Sequence, residues 1–209
     1  ILSQPASSII VSFLITTSPV IGFLTSNAVT LPRALSDKLT TTFPQNLGQV
    51  PMYYAHKNTG RPLNGPWFQK FQSNYLDVSN EPLYPFGFGL SYTEFGYADL
   101  KLSSNEITSA DSIRVSIDVT NKGIRDGSEV VQLYVRDLVG SVTRPVKELK
   151  GFELLNLKAG ETKAAKFELS EKELGFYDNQ GKWILEKGEF EVYVGTNSQT
   201  QNKKSFELK

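Results

Sequence analysis

His56 is the single imidazole in the chain and cysteine is absent. Together these facts exclude thiolate nucleophiles, disulfides, thiolate metal sites and any centre that needs two histidines. A serine–histidine arrangement would have to use His56, and no Gly-x-Ser-x-Gly elbow accompanies it. Carboxylate pairs are the next candidates for acid–base work. Asp118, Glu129, Glu153, Glu168 and Glu191 alternate with apolar residues along strand-like runs, so solvated strand faces are expected for them rather than a shared pocket. Asp77 and Glu81 stand in a proline-rich stretch, where bridging between domains is the better expectation. Gly87-Phe88-Gly89 is no phosphate loop, because no helical pattern follows and no lysine is placed for phosphate. Lys203-Lys204 reads as an ordinary charged surface pair.

The remaining totals are equally restrictive. Twenty-two basic and 22 acidic residues give a formal charge of zero. Neither a nucleic acid nor a membrane surface is expected as a partner. A hydrophobic fraction of 39% over 209 residues allows one or two domains with a sizeable core.

The elements that would position these residues are mostly strands. Ile113, Val115, Ile117 and Val119 alternate with Arg114, Ser116 and Asp118, and the run ends at the turn signal Asn121-Lys122-Gly123. Val131, Leu133 and Val135 alternate with Gln132, Tyr134 and Arg136, predicting a second strand between Asp126-Gly127 and Gly140. Leu149–Leu155, Thr162–Leu169 and Glu189–Gly195 supply three more, with turns at Lys158–Glu161 and Asp178–Gly181. An opening strand near Tyr97–Leu102 and a closing one near Ser205–Leu208 bring the count to seven. Seven short strands in this span predict a mainly β fold, a two-sheet sandwich of immunoglobulin or fibronectin type III character. Pro145 belongs between strands or on an edge, and no helix of useful length is expected.

Upstream the pattern changes. Leu83–Phe95 concentrates Tyr84, Phe86, Phe88, Tyr92 and Phe95 around Pro85, Gly87 and Gly89, which predicts a buried strap. Before it, Pro51, Pro62, Pro66 and Pro82 are interspersed with Gly48, Gly60 and Gly65, which is linker chemistry. The same stretch carries Tyr53, Tyr54, Trp67, Phe68, Phe71 and Tyr75, so an ordered strap lying flat on a neighbouring domain is expected. From Ile1 to Ser36 the single charged residue is Arg33. This apolar segment fits two buried strands, Ile9–Ile15 and Val20–Leu24, better than a membrane span interrupted by Thr16–Pro19 or a signal segment with no basic region ahead of it. Met52 is the only methionine, so a processed chain or a fragment is expected.

Several of these stretches resemble a known family. Asp37-Lys38-Leu39-Thr40-Thr41-Thr42-Phe43-Pro44, Gly48–Tyr54, Asn58-Thr59-Gly60-Arg61-Pro62 and Pro82–Phe95 resemble, in that order, the C-terminal part of glycoside hydrolase family 3, with bacterial periplasmic β-glucosidases nearest. Val119–Gly123, Asp126–Val135 and Arg144–Phe152 resemble the fibronectin type III-like domain that closes those enzymes. The resemblance runs from about Asp37 to Lys209. It implies a (β/α)8 barrel and an α/β sandwich domain upstream, and retaining hydrolysis by a barrel aspartate and an acid/base glutamate. Residues 1–36 depart from the family, as an out-of-frame upstream segment would.

The resemblance also implies a division of this chain: a divergent segment at 1–36, a remnant of the α/β domain at 37–52, an interdomain strap at 53–95, and the fibronectin-like domain at 96–209. The nucleophile motif is absent, and no catalytic, cofactor-binding or metal-ligating residue is expected, nor any cofactor. The expected role is a non-catalytic portion of a β-glucosidase-type enzyme, periplasmic or secreted, whose partners are the catalytic barrel and α/β domains. The alternative is a stand-alone carbohydrate-binding or interaction module. In that case His56 with Tyr53 and Tyr54, or Trp67, Phe68, Phe71 and Tyr75, would hold a β-glucoside or oligosaccharide, although structural packing is favoured for both groups.

Overall fold

The computed structural model describes residues 37–58 and 71–209. The strands expected at Ile9–Ile15 and Val20–Leu24, and Trp67-Phe68, lie outside the described residues.

Period-two alternation organises the sandwich. In β4 (Ile113–Asn121) the residues Ile113, Val115, Ile117 and Val119 are all fully buried while Arg114 faces solvent, and their β-branched side chains suit a pleated surface. β4 pairs antiparallel with β7 (Thr162–Leu169) along one edge. Its other edge takes β1 (Phe95–Tyr97) and then β2 (Lys101–Leu102). The expected opening strand is therefore broken in two, and Leu100, in the interruption, enters the core.

The second sheet has the order β3-β11-β10-β5-β6, comprising β3 (Glu106–Ile107), β5 (Gly127–Asp137), β6 (Glu148–Leu157), β10 (Gly188–Gly195) and β11 (Lys203–Leu208). All its pairs are antiparallel except β3 on β11. The two sheets enclose one core that includes Val119, Leu133, Leu157, Leu169, Val192 and Leu208. Phe190 and Phe206 stack within it at 5.5 Å between centroids. Each fully buried side chain of this kind contributes about 1.5–3 kcal/mol, so the sandwich is the stable part of the molecule.

Between β7 and β10 lies a short insertion. A single helical turn, α1 (Glu171–Leu174), starts at a capping box in which Ser170 and Glu173 satisfy each other. A small hairpin follows, β8 (Phe176–Tyr177) with β9 (Trp183–Ile184). Its turn falls at Asp178–Gly181 as expected, because the Asp178 carboxylate accepts the Gln180 and Lys182 amides at 2.9 and 2.8 Å.

Candidate functional site

The inward row of β5 reads Glu129, Val131, Leu133, Val135, Asp137. Period two puts a carboxylate at each end of the apolar row, and both acids are buried. Glu129 is 3% exposed and meets the Lys38 ammonium at 3.2 Å and the Tyr97 hydroxyl, which donates at 2.8 Å. Tyr97 comes from the opposite sheet and Lys38 from the segment ahead of the sandwich. Burial, reinforced by the adjacent Glu129 carboxylate, pushes the Tyr97 phenol far above its ordinary value. The expectation of a solvated face for Glu129 is thus overturned: the alternation that buries Val131 buries Glu129 with it.

In the middle of β5 the outward residues Gln132 and Tyr134 are buried too, because the strap lies on them. Gln132 is 3% exposed. Its amide nitrogen donates to the Gly87 carbonyl at 3.1 Å and the Thr196 carbonyl at 2.6 Å, while its oxygen accepts the Tyr134 hydroxyl at 2.6 Å. One side chain therefore joins strap, sheet and the β10–β11 loop. Gly87 has φ of +78°, and any Cβ there would collide with the Gln132 amide; both the turn and the close approach require glycine. Tyr54 stacks on Phe86 at 4.3 Å and meets the Tyr134 ring edge-on at 5.7 Å, and its hydroxyl accepts the Leu149 amide at 3.3 Å. The Ser198 amide donates to the Phe86 carbonyl at 3.0 Å.

The strap is also joined to the segment before it. The Leu39 amide donates to Phe88 and the Gly87 amide to Leu39, at 2.8 and 2.7 Å, and Phe43 bridges Tyr84 in antiparallel fashion. β5 is accordingly buried on both faces over residues 131–135, while Ser128, Val130 and Arg136 stay partly exposed. Gln132 and Ser198 were not recognisable as site residues from their types. The run Val130-Val131-Gln132-Leu133-Tyr134-Val135 does carry a signal, since near-continuous apolar character marks a strand covered on both sides.

Beside the strap, three cations surround one carboxylate. Glu191, 8% exposed, accepts from Lys203 and from the Tyr193 hydroxyl and lies 3.6 Å from Arg136. Burial opposes its ionisation, yet these partners hold its carboxyl below the usual range. Lys147 donates to the Ser198 and Thr200 carbonyls at 3.0 Å each, with its ammonium 4.0 Å over the Tyr193 ring. Burial, together with Arg136 and Lys203, lowers the Lys147 ammonium to about 8 against the pull of Glu191. A further expectation fails here: Glu191 is not on a solvated face, because the neighbouring β11 and β5 side chains close over it. Lys203 and Lys204 are exposed, as expected of a surface pair, and Lys203 also pairs with this buried acid.

The other candidates sit apart from one another. Asp118 pairs with Lys101 at 2.9 Å on the exposed face, Glu153 accepts the Lys166 amide, and Glu168 accepts the Ser112 hydroxyl. His56 is exposed; its carbonyl accepts the Val146 amide at 2.9 Å, and neighbouring Lys57 bridges Pro145. That is a structural contact on the sandwich surface. Tyr53 and Phe71 are exposed, whereas the Tyr75 hydroxyl donates to the Gln49 carbonyl at 3.4 Å. Asp77 is exposed, and Glu81 accepts the Gln199 side-chain amide, tying the strap to the β10–β11 loop. In and before the strap, Leu47, Val50, Tyr53, Leu83, Leu90 and Tyr92 are 43–90% exposed.

The profile of the fibronectin type III-like domain family matches residues 129–198. The chain is 46% identical over 173 residues to the periplasmic β-glucosidase of Salmonella typhimurium, covering 83% of this chain and 23% of that protein. It is 41% identical over 174 residues to a putative β-xylosidase of Formosa agariphila, covering 83% of this chain and 22% of that one. The crystal structure of a β-glucosidase from Listeria innocua in complex with glucose superposes with a TM-score of 0.76 at 43% identity, over 83% of this chain and 24% of that chain. The chain thus spans less than a quarter of the length of these relatives. It belongs with the C-terminal part of glycoside hydrolase family 3 enzymes of the β-glucosidase type, and includes their fibronectin type III-like domain.

Proposed function

We propose that this chain is the non-catalytic C-terminal portion of a β-glucosidase-type glycoside hydrolase, and that it stabilises the catalytic domains by clamping onto them. The observation that carries this reading is the two-sided strap. Its inner side is bonded to the sandwich through Gln132, Tyr54 and Ser198, while Leu83, Leu90 and Tyr92 remain exposed on the other. Exposed apolar surface at a chain segment between domains marks an interface. Residues 37–52 are assigned to the edge of the α/β domain, 53–95 to the strap and 96–209 to the closing domain. No residue here is assigned to catalysis, to a cofactor or to a metal. The partners are a barrel and an α/β domain acting on β-glucosides, with neither nucleic acid nor membrane involved. A periplasmic or secreted location accords with the name of the Salmonella relative, and among the described residues no helix is long and apolar enough to cross a membrane.

Two measurements test the reading. The chain should not hydrolyse an aryl β-glucoside in a preparation free of host glycosidase; turnover at the rate of a full-length relative would refute it. It should also bind the separately expressed barrel and α/β domains of a close relative and raise their melting temperature. Saturable polysaccharide binding lost on Trp67→Ala, with no docking, would instead favour the stand-alone carbohydrate-binding module.

A further inference from the structure

Lys147 joins the two places where the strap is gripped. At the first, the chain entering β6 holds residues 54–57: the Val146 amide donates to the His56 carbonyl at 2.9 Å and the Leu149 amide to the Tyr54 hydroxyl at 3.3 Å. At the second, the β10–β11 loop holds residues 81–87. The Ser198 amide donates to the Phe86 carbonyl, the Gln199 side chain donates to Glu81, and the Thr196 carbonyl shares the Gln132 amide with Gly87. The Lys147 side chain crosses from the first grip to the second, donating to the Ser198 and Thr200 carbonyls at 3.0 Å each.

The loop brings no counter-charge to this amine, because residues 196–202 are Thr, Asn, Ser and Gln only. From the sheet, Glu191 and Tyr193 of β10, Arg136 of β5 and Lys203 of β11 face it. Glu191 is committed to Lys203, Arg136 and the Tyr193 hydroxyl. Glu148 next in sequence pairs with Arg144 and Lys150, while Glu81, His56 and Tyr54 on the strap are turned to Gln199, the Lys57 carbonyl and the Leu149 amide. Three cations therefore share one carboxylate beneath the loop. A neutral amine keeps two N–H groups, one for each carbonyl, and forgoes only the attraction of a cation to the Tyr193 ring. An ammonium closed in the same place loses its water and meets Arg136 and Lys203. Burial accordingly lowers the covered amine to about 8.

We propose that the β10–β11 loop is a proton-linked latch on the strap, closing most firmly over a neutral Lys147, so that the strap is held more tightly in mildly alkaline than in neutral solution. When the loop lifts, water returns to the amine and its ordinary value of 10.5 is restored. Below about 8 the amine is protonated whether the loop is closed or open, and closure does not change with pH. Between these values the open form alone carries the proton, and closure gains as pH rises. This window lies above the ordinary range of carboxylates and imidazole, and its lower part lies below that of phenols. The latch belongs to strap and sandwich and stands whether or not the strap meets a catalytic body.

Hydrogen exchange of the Ser198 amide in the full chain, corrected for the intrinsic rate, reads the latch, because that amide is freed when the loop parts from Phe86. Its protection is expected to lie below that of the β4 amides and to rise about tenfold from pH 7 to pH 9. In Lys147→Arg the rise should vanish, since a guanidinium stays charged throughout. Lys147→Gln, neutral with two N–H groups, should be flat as well. Flat protection in the unaltered chain overturns the proposal without recourse to a variant. A rise that persists in Lys147→Arg or Lys147→Gln also overturns it, because the titrating group would then lie elsewhere. So does Ser198 protection equal to that of β4, which would mean that loop and sandwich open only together.

Discussion

Gln132 meets three partners with one buried amide, two carbonyls and a phenol on three different segments. Removing it strands all three, and a buried polar group left unpaired costs about 1–3 kcal/mol. Gln132→Ala is expected to lower unfolding stability by about 3 kcal/mol, read as a lower urea midpoint at unchanged slope. Lys38→Met should cost about 3 kcal/mol as well, because it leaves the Glu129 carboxylate buried with only the Tyr97 hydroxyl. The Lys147 ammonium gives a pH dependence of defined sign. Its folded value is about 8, below the ordinary 10.5, so between these pH values the unfolded chain binds the extra proton and folding stability rises with pH. The buried Tyr97 and Tyr134 phenols act oppositely, since their values are raised and the unfolded phenols ionise first, above about pH 10. Denaturant titrations of wild type and Lys147→Met should therefore diverge from pH 8 to 10, wild type gaining; parallel curves would show that Lys147 is not shifted.

At the scale of elements, the strap should behave as a separate layer of stability. Its bonds to the sheet are few and specific, whereas β4, β7, β5 and β10 share a continuous apolar core. Tyr54→Ala removes the stack on Phe86, the edge contact with Tyr134 and the bond to the Leu149 amide. Hydrogen exchange at the Leu39 and Gly87 amides should then quicken by roughly tenfold or more, while amides of β4 and β7 keep their protection. Uniform acceleration would show that strap and sandwich open as one unit. The same contrast explains what could be read in the sequence. β4 was legible because alternation over nine residues outweighs local noise. β3, β8 and β9 have two residues each, too few to carry a period. Glu129 was legible in principle, sharing the parity of Val131 and Leu133, but its residue type suggested solvent. Burial of Gln132 and Glu191 depends on chain that returns from far away in sequence, and local pattern does not encode it.

For the whole molecule, the consequence lies on surfaces that the sandwich leaves uncovered. Leu47 and Val50 before the strap, and Tyr53, Leu83, Leu90 and Tyr92 within it, are exposed together with Phe152 at 70% and Leu154 at 51% on β6. Phe152 is paired across the sheet with Gln132, the residue that grips Gly87, so the apolar surface of β6 adjoins the strap. Burial is worth roughly 25 cal/mol per Å2 of apolar surface, and such residues in contact with water favour association. The chain alone is therefore expected to self-associate in light scattering at micromolar concentration and to bind a hydrophobic dye. Leu90→Ser with Phe152→Ser should reduce both without lowering the melting temperature, since neither side chain belongs to the core. Adding the barrel and α/β domains of a relative should suppress self-association of the unaltered chain, and the double variant should dock more weakly. If association persists in the double variant while docking is undiminished, the uncovered face is not the one that meets the catalytic body.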